Sequence, residues 1–101
     1  MPLTKSYDPT GTHCKVTFSL PVDDAQNTNK LFLAGDFNGW NPTVLPMHKA
    51  KGVFSVSVEL EADKQHQYRY VTEAGAWLND TQADLYVYNP FADADNSVVA
   101  L

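Results

Sequence analysis

The sequence predicts an all-β domain built as an antiparallel β-sandwich. Along several segments, apolar residues occupy every second position, which is the pattern of a strand buried on one face. Clusters of Pro, Gly, Asn and Asp separate these segments, and these residue types form turns. No segment of ten residues shows the apolar stripe of an amphipathic helix. Roughly six to eight short strands at this spacing are typical of two packed sheets.

The strand signals begin after residues 1–12, which we expect to form a loosely ordered lead-in to a single domain over residues 13–101. The alternation places Cys14 on the apolar face of the first strand, where we expect a buried structural thiol. In the fourth predicted strand, Tyr68 and Tyr70 point to the core and Arg69 points outward. The predicted strands are residues 14–20, 31–34, 52–60, 67–72, 85–88 and 97–101, and the main loops are residues 21–29, 38–46, 62–65 and 89–96.

Composition and charge exclude several classes of partner. The net charge is −5, and the seven Lys and Arg residues are scattered along the chain. Nucleic acids and anionic membranes are bound mainly through clustered positive charge, so neither is expected as a partner. No apolar stretch approaches the roughly 20 residues that cross a bilayer. The single cysteine and the absence of a secretion signal at the start predict a cytoplasmic protein.

Residues suited to catalysis or metal binding are sparse, so we expect a binding module rather than an enzyme. Glu59 and Glu61 end a predicted strand beside Asp63, which is typical of a solvated turn rather than of an acid pair in a cleft. The histidines lack metal-ligand spacing, and no second cysteine supports them. No metal or other cofactor is therefore expected.

Two tryptophans follow turn signals and are the main functional candidates. Residues 31–42 read Leu-Phe-Leu-Ala-Gly-Asp-Phe-Asn-Gly-Trp-Asn-Pro, so a strand ends in a turn that carries Trp40 towards solvent. Trp77 follows the turn signal at residues 73–75. An exposed indole offers a flat, rigid surface to the apolar face of a sugar ring. Arg69 and Asn96 could supply hydrogen bonds at the rim of such a platform.

Five segments together resemble the family 48 carbohydrate-binding modules. This family includes the glycogen-binding domain of the AMP-activated kinase β subunit and the N-terminal domains of isoamylase-type and branching enzymes. The segments occur in the family's order and span about residues 13–101. They are Gly-Asp-Phe-Asn-Gly-Trp at residues 35–40, Gly-Val-Phe at 52–54, His-Gln-Tyr-Arg-Tyr at 66–70, Trp-Leu-Asn-Asp at 77–80, and Asp-Asn-Ser-Val-Val at 95–99.

The resemblance implies an immunoglobulin-like sandwich of the early-set type that binds α-1,4-glucans, such as glycogen, starch or malto-oligosaccharides, without cleaving them. By motif position, Trp40 and Trp77 would stack on glucose units. Arg69 would hydrogen-bond the sugar, and Asn96 would complete the site. This chain has arginine where the family usually has lysine, and Thr81 where a proline commonly follows the aspartate. The turn before Trp77 is also one residue longer than in the kinase subunit.

The length of that turn decides which face of the sheet Trp77 occupies. A three-residue loop pairs Glu73 with Trp77 and places the indole on the face of Arg69. A two-residue loop pairs Thr72 with Trp77 and turns the indole towards the core. The first register builds a binding site, and the second does not.

Two other functions remain open on the sequence alone. The domain could be a protein-interaction module that has kept the fold and lost sugar binding, since fold does not fix function. It could also be the accessory domain of a glycoside hydrolase or glucan-branching enzyme. The sequence does not predict the preferred glucan or the oligomeric state.

Overall fold

The structure is a computed structural model, and it describes residues 3–101. This part of the chain contains ten β-strands and two single turns of 3₁₀ helix, at Val22–Asp24 and Asp36–Asn38. Neither turn is long or apolar enough to cross a membrane. The strands are β1 Thr4–Tyr7, β2 His13–Pro21, β3 Leu31–Gly35, β4 Leu45–Pro46, β5 His48–Ala50, β6 Val53–Glu61, β7 Gln65–Thr72, β8 Trp77–Leu78, β9 Leu85–Asn89 and β10 Ala94–Ala100.

The strands form two antiparallel sheets, and the predicted β-sandwich is confirmed. One sheet has four strands in the order β1-β2-β6-β5. The other has six, with the path β4-β3-β7-β10-β9 and with β8 paired to β7. The functional residues considered below belong to the six-stranded sheet and its connections.

The hydrophobic core lies between the two sheets. Phe18 of β2 meets Tyr68 of β7 edge to face, with ring centroids 4.8 Å apart, and this contact joins the layers. Cys14 is fully buried with a free thiol, as its position on the apolar face of the strand predicted. Both tyrosines of β7 that the alternation predicted to face the core are fully buried. The largest fully buried side chains are Tyr68, Tyr70, Phe18, Phe54, Leu20, Leu31 and Leu33.

The structure corrects two boundaries that the sequence pattern predicted. The lead-in over residues 1–12 is not loosely ordered throughout, because Thr4–Tyr7 pairs antiparallel with β2. Only residue 5 of that strand is partly buried, so the strand shows no apolar alternation in the sequence. The strand forms through its backbone pairing with β2. Residues 1–2 of the lead-in lie outside the described residues. The loop predicted to reach Asn96 ends earlier, because β10 begins at Ala94.

Candidate functional site

The turn that carries Trp40 is folded back onto the end of β3 by hydrogen bonds. The Asn38 side chain accepts from the Gly35 amide at 3.0 Å, and its Nδ2 donates to the Leu33 carbonyl at 3.1 Å. The Trp40 amide donates to the Gly35 carbonyl at 2.8 Å. These bonds bracket the Asp36–Asn38 turn and set the position from which the Trp40 side chain leaves.

Gly35 is required at the start of this turn for steric reasons. A Cβ atom there would lie 2.5 Å from Cε2 of Phe37 and 2.7 Å from the carbonyl oxygen of Gln67. The Phe37 ring stacks on core residue Phe18, with centroids 5.9 Å apart. The missing side chain therefore lets the turn approach β7 closely while Phe37 anchors it to the core.

Trp40 itself adopts a left-handed backbone conformation. Its φ is +59°, next to Gly39 at +67°. A non-glycine residue in this region costs about 1–2 kcal/mol, because its Cβ crowds the following carbonyl. Such local strain concentrates at functional sites, where it serves to aim a side chain. Here it aims a half-buried indole over the outer face of the six-stranded sheet.

Trp77 lies on the same face of the sheet as Arg69, as the site-building register predicted. Strand β8 pairs Trp77 with Val71, so the connection is residues 72–76 and has neither the three-residue nor the two-residue length considered above. The Thr72 amide donates to the Ala76 carbonyl at 2.9 Å, and the Ala76 amide donates to Thr72 Oγ1 at 3.0 Å. Five and three are both odd numbers of residues, so the longer connection leaves Trp77 on the face that the three-residue loop would give it.

The segment after Trp77 is tied to β10 by side-chain hydrogen bonds. Asn79 Nδ2 donates to the Asp95 carbonyl at 2.6 Å, and Asn79 Oδ1 accepts from the Ser97 hydroxyl at 2.8 Å. The Asp80 amide donates to the same hydroxyl oxygen at 2.9 Å. These contacts hold the short strand β8, and hence Trp77, against the sheet.

Asp80 connects the segment after Trp77 to the hydrophobic core. Its buried carboxylate accepts hydrogen bonds from the hydroxyls of Tyr68 at 2.7 Å and Tyr70 at 3.2 Å, and from the Gln82 amide at 2.9 Å. Burial first, and then the neighbouring Tyr70 and Asp80, raise the pKa of Tyr68 well above its usual range. Burial and the Asp80 charge raise the pKa of Tyr70 in the same way. Both phenols therefore stay protonated and can donate to the carboxylate.

The two indoles form the walls of an open cleft. Their ring centroids are 6.4 Å apart and their planes are inclined by 45°. Trp77 is 41% exposed, and Trp40 is half-buried. The cleft has a volume of about 420 Å³ and brings together all four residues that the sequence singled out. Its lining residues are Trp40, Arg69, Trp77, Asn89, Ala92 and Asn96.

Arg69 forms part of the floor of the cleft and is only 7% exposed. The outward orientation predicted for Arg69 therefore does not leave it in solvent, because it lies at the base of a cleft with Trp40 and Trp77. Its Nε donates to Asn96 Oδ1 at 2.9 Å. Its Nη2 is buried and has no hydrogen-bond partner within residues 3–101. A buried polar group without a partner costs about 1–3 kcal/mol, so Nη2 is a donor for which the described chain supplies no acceptor.

Asn96 connects Arg69 to a third polar side chain, that of Gln67. Asn96 is 3% exposed, lies within β10 rather than in the predicted loop 89–96, and donates from Nδ2 to Gln67 Oε1 at 2.9 Å. Sequence reasoning missed Gln67, although it shares the outward parity of Arg69 on β7. It also missed Asn89 and Ala92, for which no local pattern indicated a place in the cleft.

The chemistry available in the cleft is stacking and hydrogen bonding. Its walls are aromatic, and its floor is a row of guanidinium and amide groups. The residues that line it include no carboxylate, histidine or cysteine. Within residues 3–101, no cluster of three or more potential ligand side chains could hold a metal ion.

Comparison with known proteins gives a family match and a set of structural matches. The profile of carbohydrate-binding module 48 (isoamylase N-terminal domain) matches residues 7–92. No curated protein sequence matches the chain significantly.

The structural matches include the enterobactin esterase of Shigella flexneri. In the presence of enterobactin it superposes with a TM-score of 0.76 at 11% identity, covering 99% of this chain and 33% of that one. In the presence of 2,3-di-hydroxy-N-benzoyl-serine it gives a TM-score of 0.73 at 8% identity, covering 99% of this chain and 32% of that one. This chain thus spans about a third of the esterase, and at such identity the likeness concerns the fold alone.

Proposed function

Because the chain belongs to the carbohydrate-binding module 48 family, we propose that it binds α-1,4-glucans such as glycogen, starch and malto-oligosaccharides, without cleaving them. The observation that carries this proposal is the pair of indoles inclined over a polar floor. Each indole would stack on the apolar C–H face of one glucose unit. An inclined pair suits an α-1,4-linked chain, since such a chain curves and its consecutive rings are not coplanar.

The polar floor would fix the orientation of the sugar. Arg69 lines the cleft, and its guanidinium would donate to a glucose hydroxyl. The Arg69–Asn96 hydrogen bond holds the guanidinium in position, so little side-chain entropy would be lost on binding. In the described chain, no carboxylate lies within ion-pair distance of Arg69, so its charge is not neutralised by a partner. A hydrogen bond from a charged donor to a sugar hydroxyl is stronger than one from a neutral donor.

Such a site would bind a single short glucan weakly and a branched polymer more tightly. The cleft offers two stacking surfaces and a few hydrogen bonds, while association costs about 4–15 kcal/mol in lost translational and rotational freedom. A branched polymer presents many chain ends at high local concentration, which raises the apparent affinity without new contacts.

Affinity electrophoresis in gels containing glycogen tests the proposal. We expect the wild type to be retarded, and Trp40→Ala and Trp77→Ala to migrate as they do in gels without glycogen. Tyr7→Ala is the matched control, since Tyr7 is an exposed aromatic residue on β1 of the other sheet. Unretarded migration of the wild type would contradict the proposal, as would equal retardation of the wild type and both tryptophan variants.

A second candidate is a docking or accessory role within a larger protein. The observation that favours it is the edge strand β9, which within residues 3–101 pairs with β10 alone and exposes Leu85, Tyr86 and Tyr88. A fold of this kind also forms about a third of a larger enzyme chain. Unchanged tryptophan fluorescence on titration with maltoheptaose, together with specific capture of one partner through β9, would favour this role.

A further inference from the structure

We propose that the glucan-binding surface continues past Trp40 into a second sugar subsite, over Gln67 and against the turn formed by residues 89–93. This inference rests on the proposed function and extends it. The first cleft would hold the glucose units stacked on the two indoles, and the second subsite would hold the next units of the same chain.

The second subsite is a depression of about 330 Å³ on the far side of Trp40. It shares Trp40, Asn89 and Asn96 with the first cleft, so the two depressions adjoin each other. A linear oligosaccharide could therefore pass from one to the other without leaving the surface. The remaining residues that line the depression are Gln67, Val87, Tyr88, Pro90 and Phe91.

The floor of this subsite is the same outer face of the six-stranded sheet. In the register of β10 with its neighbours, Val98 pairs with Gln67 and Asn96 pairs with Val87. Paired residues share a face, and so do alternate residues of one strand. Gln67, Asn96 and Val87 therefore lie side by side across three strands, next to Arg69.

A row of hydrogen bonds along this floor ends with an unused donor. Arg69 Nε donates to Asn96 Oδ1, and Asn96 Nδ2 donates to Gln67 Oε1, each at 2.9 Å. These two bonds fix the amide of Gln67, whose Nε2 donates to no residue of the described chain. An amide that is held by its oxygen and presents two N–H groups suits a sugar hydroxyl.

Phe91 supplies the apolar wall and has no packing role. It is 99% exposed. Asn89 holds that turn, since its side chain accepts from the Phe91 amide at 3.0 Å and its carbonyl accepts from the Ala92 amide at 3.2 Å. The Tyr88 hydroxyl donates to Asp93 Oδ1 at 2.5 Å across the same turn. A large aromatic side chain presented in this way is typical of a binding surface.

Calorimetric titration with maltose and with maltoheptaose separates the two subsites. Maltose is short enough to be held by the indole pair alone, whereas maltoheptaose can reach both subsites. We expect Phe91→Ala to weaken maltoheptaose binding by roughly two- to tenfold, the value of one aromatic contact, and to leave maltose binding unchanged. Gln67→Ala should also weaken maltoheptaose binding, and it should affect maltose as well, because Gln67 Oε1 accepts from Asn96 of the first cleft. Phe91 is fully exposed, so its replacement does not threaten folding, and Tyr7→Ala is the control for loss of an exposed aromatic residue.

Each outcome of this titration has a distinct meaning. Equal maltoheptaose affinity for the wild type, Phe91→Ala and Gln67→Ala would overturn the second subsite, while the proposed function would stand if the wild type still bound both sugars. Absence of any binding by the wild type would overturn both. A Phe91→Ala variant that lost maltose and maltoheptaose affinity equally would place Phe91 in the first cleft and would also refute the proposal.

Discussion

Replacing Arg69 by methionine separates a binding role of the buried guanidinium from a folding role. The change removes the hydrogen bond to Asn96 and leaves Asn96 Oδ1 without that donor, which costs about 1–3 kcal/mol. It also removes the buried Nη2 that lacks a partner, which regains about 1–3 kcal/mol. Methionine keeps most of the apolar stem. We therefore expect the free energy of unfolding to change by about 1 kcal/mol or less, because the two terms offset each other.

Binding should respond much more strongly than stability. Loss of one charge-assisted hydrogen bond to a sugar hydroxyl corresponds to about 1.5–3 kcal/mol, or a roughly ten- to hundredfold higher Kd for maltoheptaose. Arg69→Lys should fall between the wild type and Arg69→Met, since an ammonium keeps the charge and lacks the planar fork that reaches both Asn96 and the cleft.

Urea unfolding and maltoheptaose titration on the same three proteins provide the assay. Wild-type sugar affinity in Arg69→Met would refute the assignment of Arg69 to the ligand. A stability loss of more than about 3 kcal/mol in Arg69→Met would refute the offset, because it would show that the guanidinium is needed for folding.

Three further predictions concern the supports of the site. Gly35→Ala should lower the free energy of unfolding by about 1–3 kcal/mol through overpacking and weaken maltoheptaose binding by shifting the turn of Trp40, whereas wild-type values in both assays would contradict the steric argument. Tyr68→Phe should destabilise the fold by about 1–3 kcal/mol in urea unfolding, because Asp80 loses a donor, and an unchanged midpoint would show that this bond is dispensable. Folding raises the pKa values of Tyr68 and Tyr70 above the unfolded value of about 10. Both protonated phenols therefore stabilise the fold fully below about pH 10. Above that pH the free energy of unfolding should fall by about 1.4 kcal/mol per pH unit for each residue. Urea unfolding at several alkaline pH values checks this, and a flat profile up to about pH 11 would contradict it.

The sequence predicted the sandwich and singled out Trp40, Arg69, Trp77 and Asn96 of the cleft because these depend on local signals. Alternation along β2, β6 and β7 determines which faces meet in the core, and Tyr68 and Tyr70 are buried as that pattern predicts. Trp40 follows a turn, as the turn-forming residue types predicted, and the Asn38 side chain accepts from the Gly35 amide within it. The odd number of residues in the turn before Trp77 predicted that Trp77 shares a face with Arg69. This holds although the connection has five residues instead of three.

The features that the sequence did not predict depend on contacts between distant segments. Strand β1 has no apolar period, since pairing with β2 forms it. The alternation in β7 places Arg69 on the outer face of the sheet, which by itself predicts exposure to solvent. Arg69 is buried because it lies at the base of the cleft formed by the two indoles. Gln67 and Asn89 reach the site only because β7, β10 and β9 are neighbours in the sheet, an order that no local pattern specifies.

Intrinsic tryptophan fluorescence during titration with maltoheptaose tests the central claim most directly. The chain contains two tryptophans, Trp40 and Trp77, and both line the proposed sugar site, so the emission reports on the cleft alone. We predict a saturable change in emission for the wild type, and for Arg69→Met the same change only at roughly ten- to hundredfold higher sugar concentration. Wild-type emission that stays constant up to the solubility limit of the sugar would contradict the account.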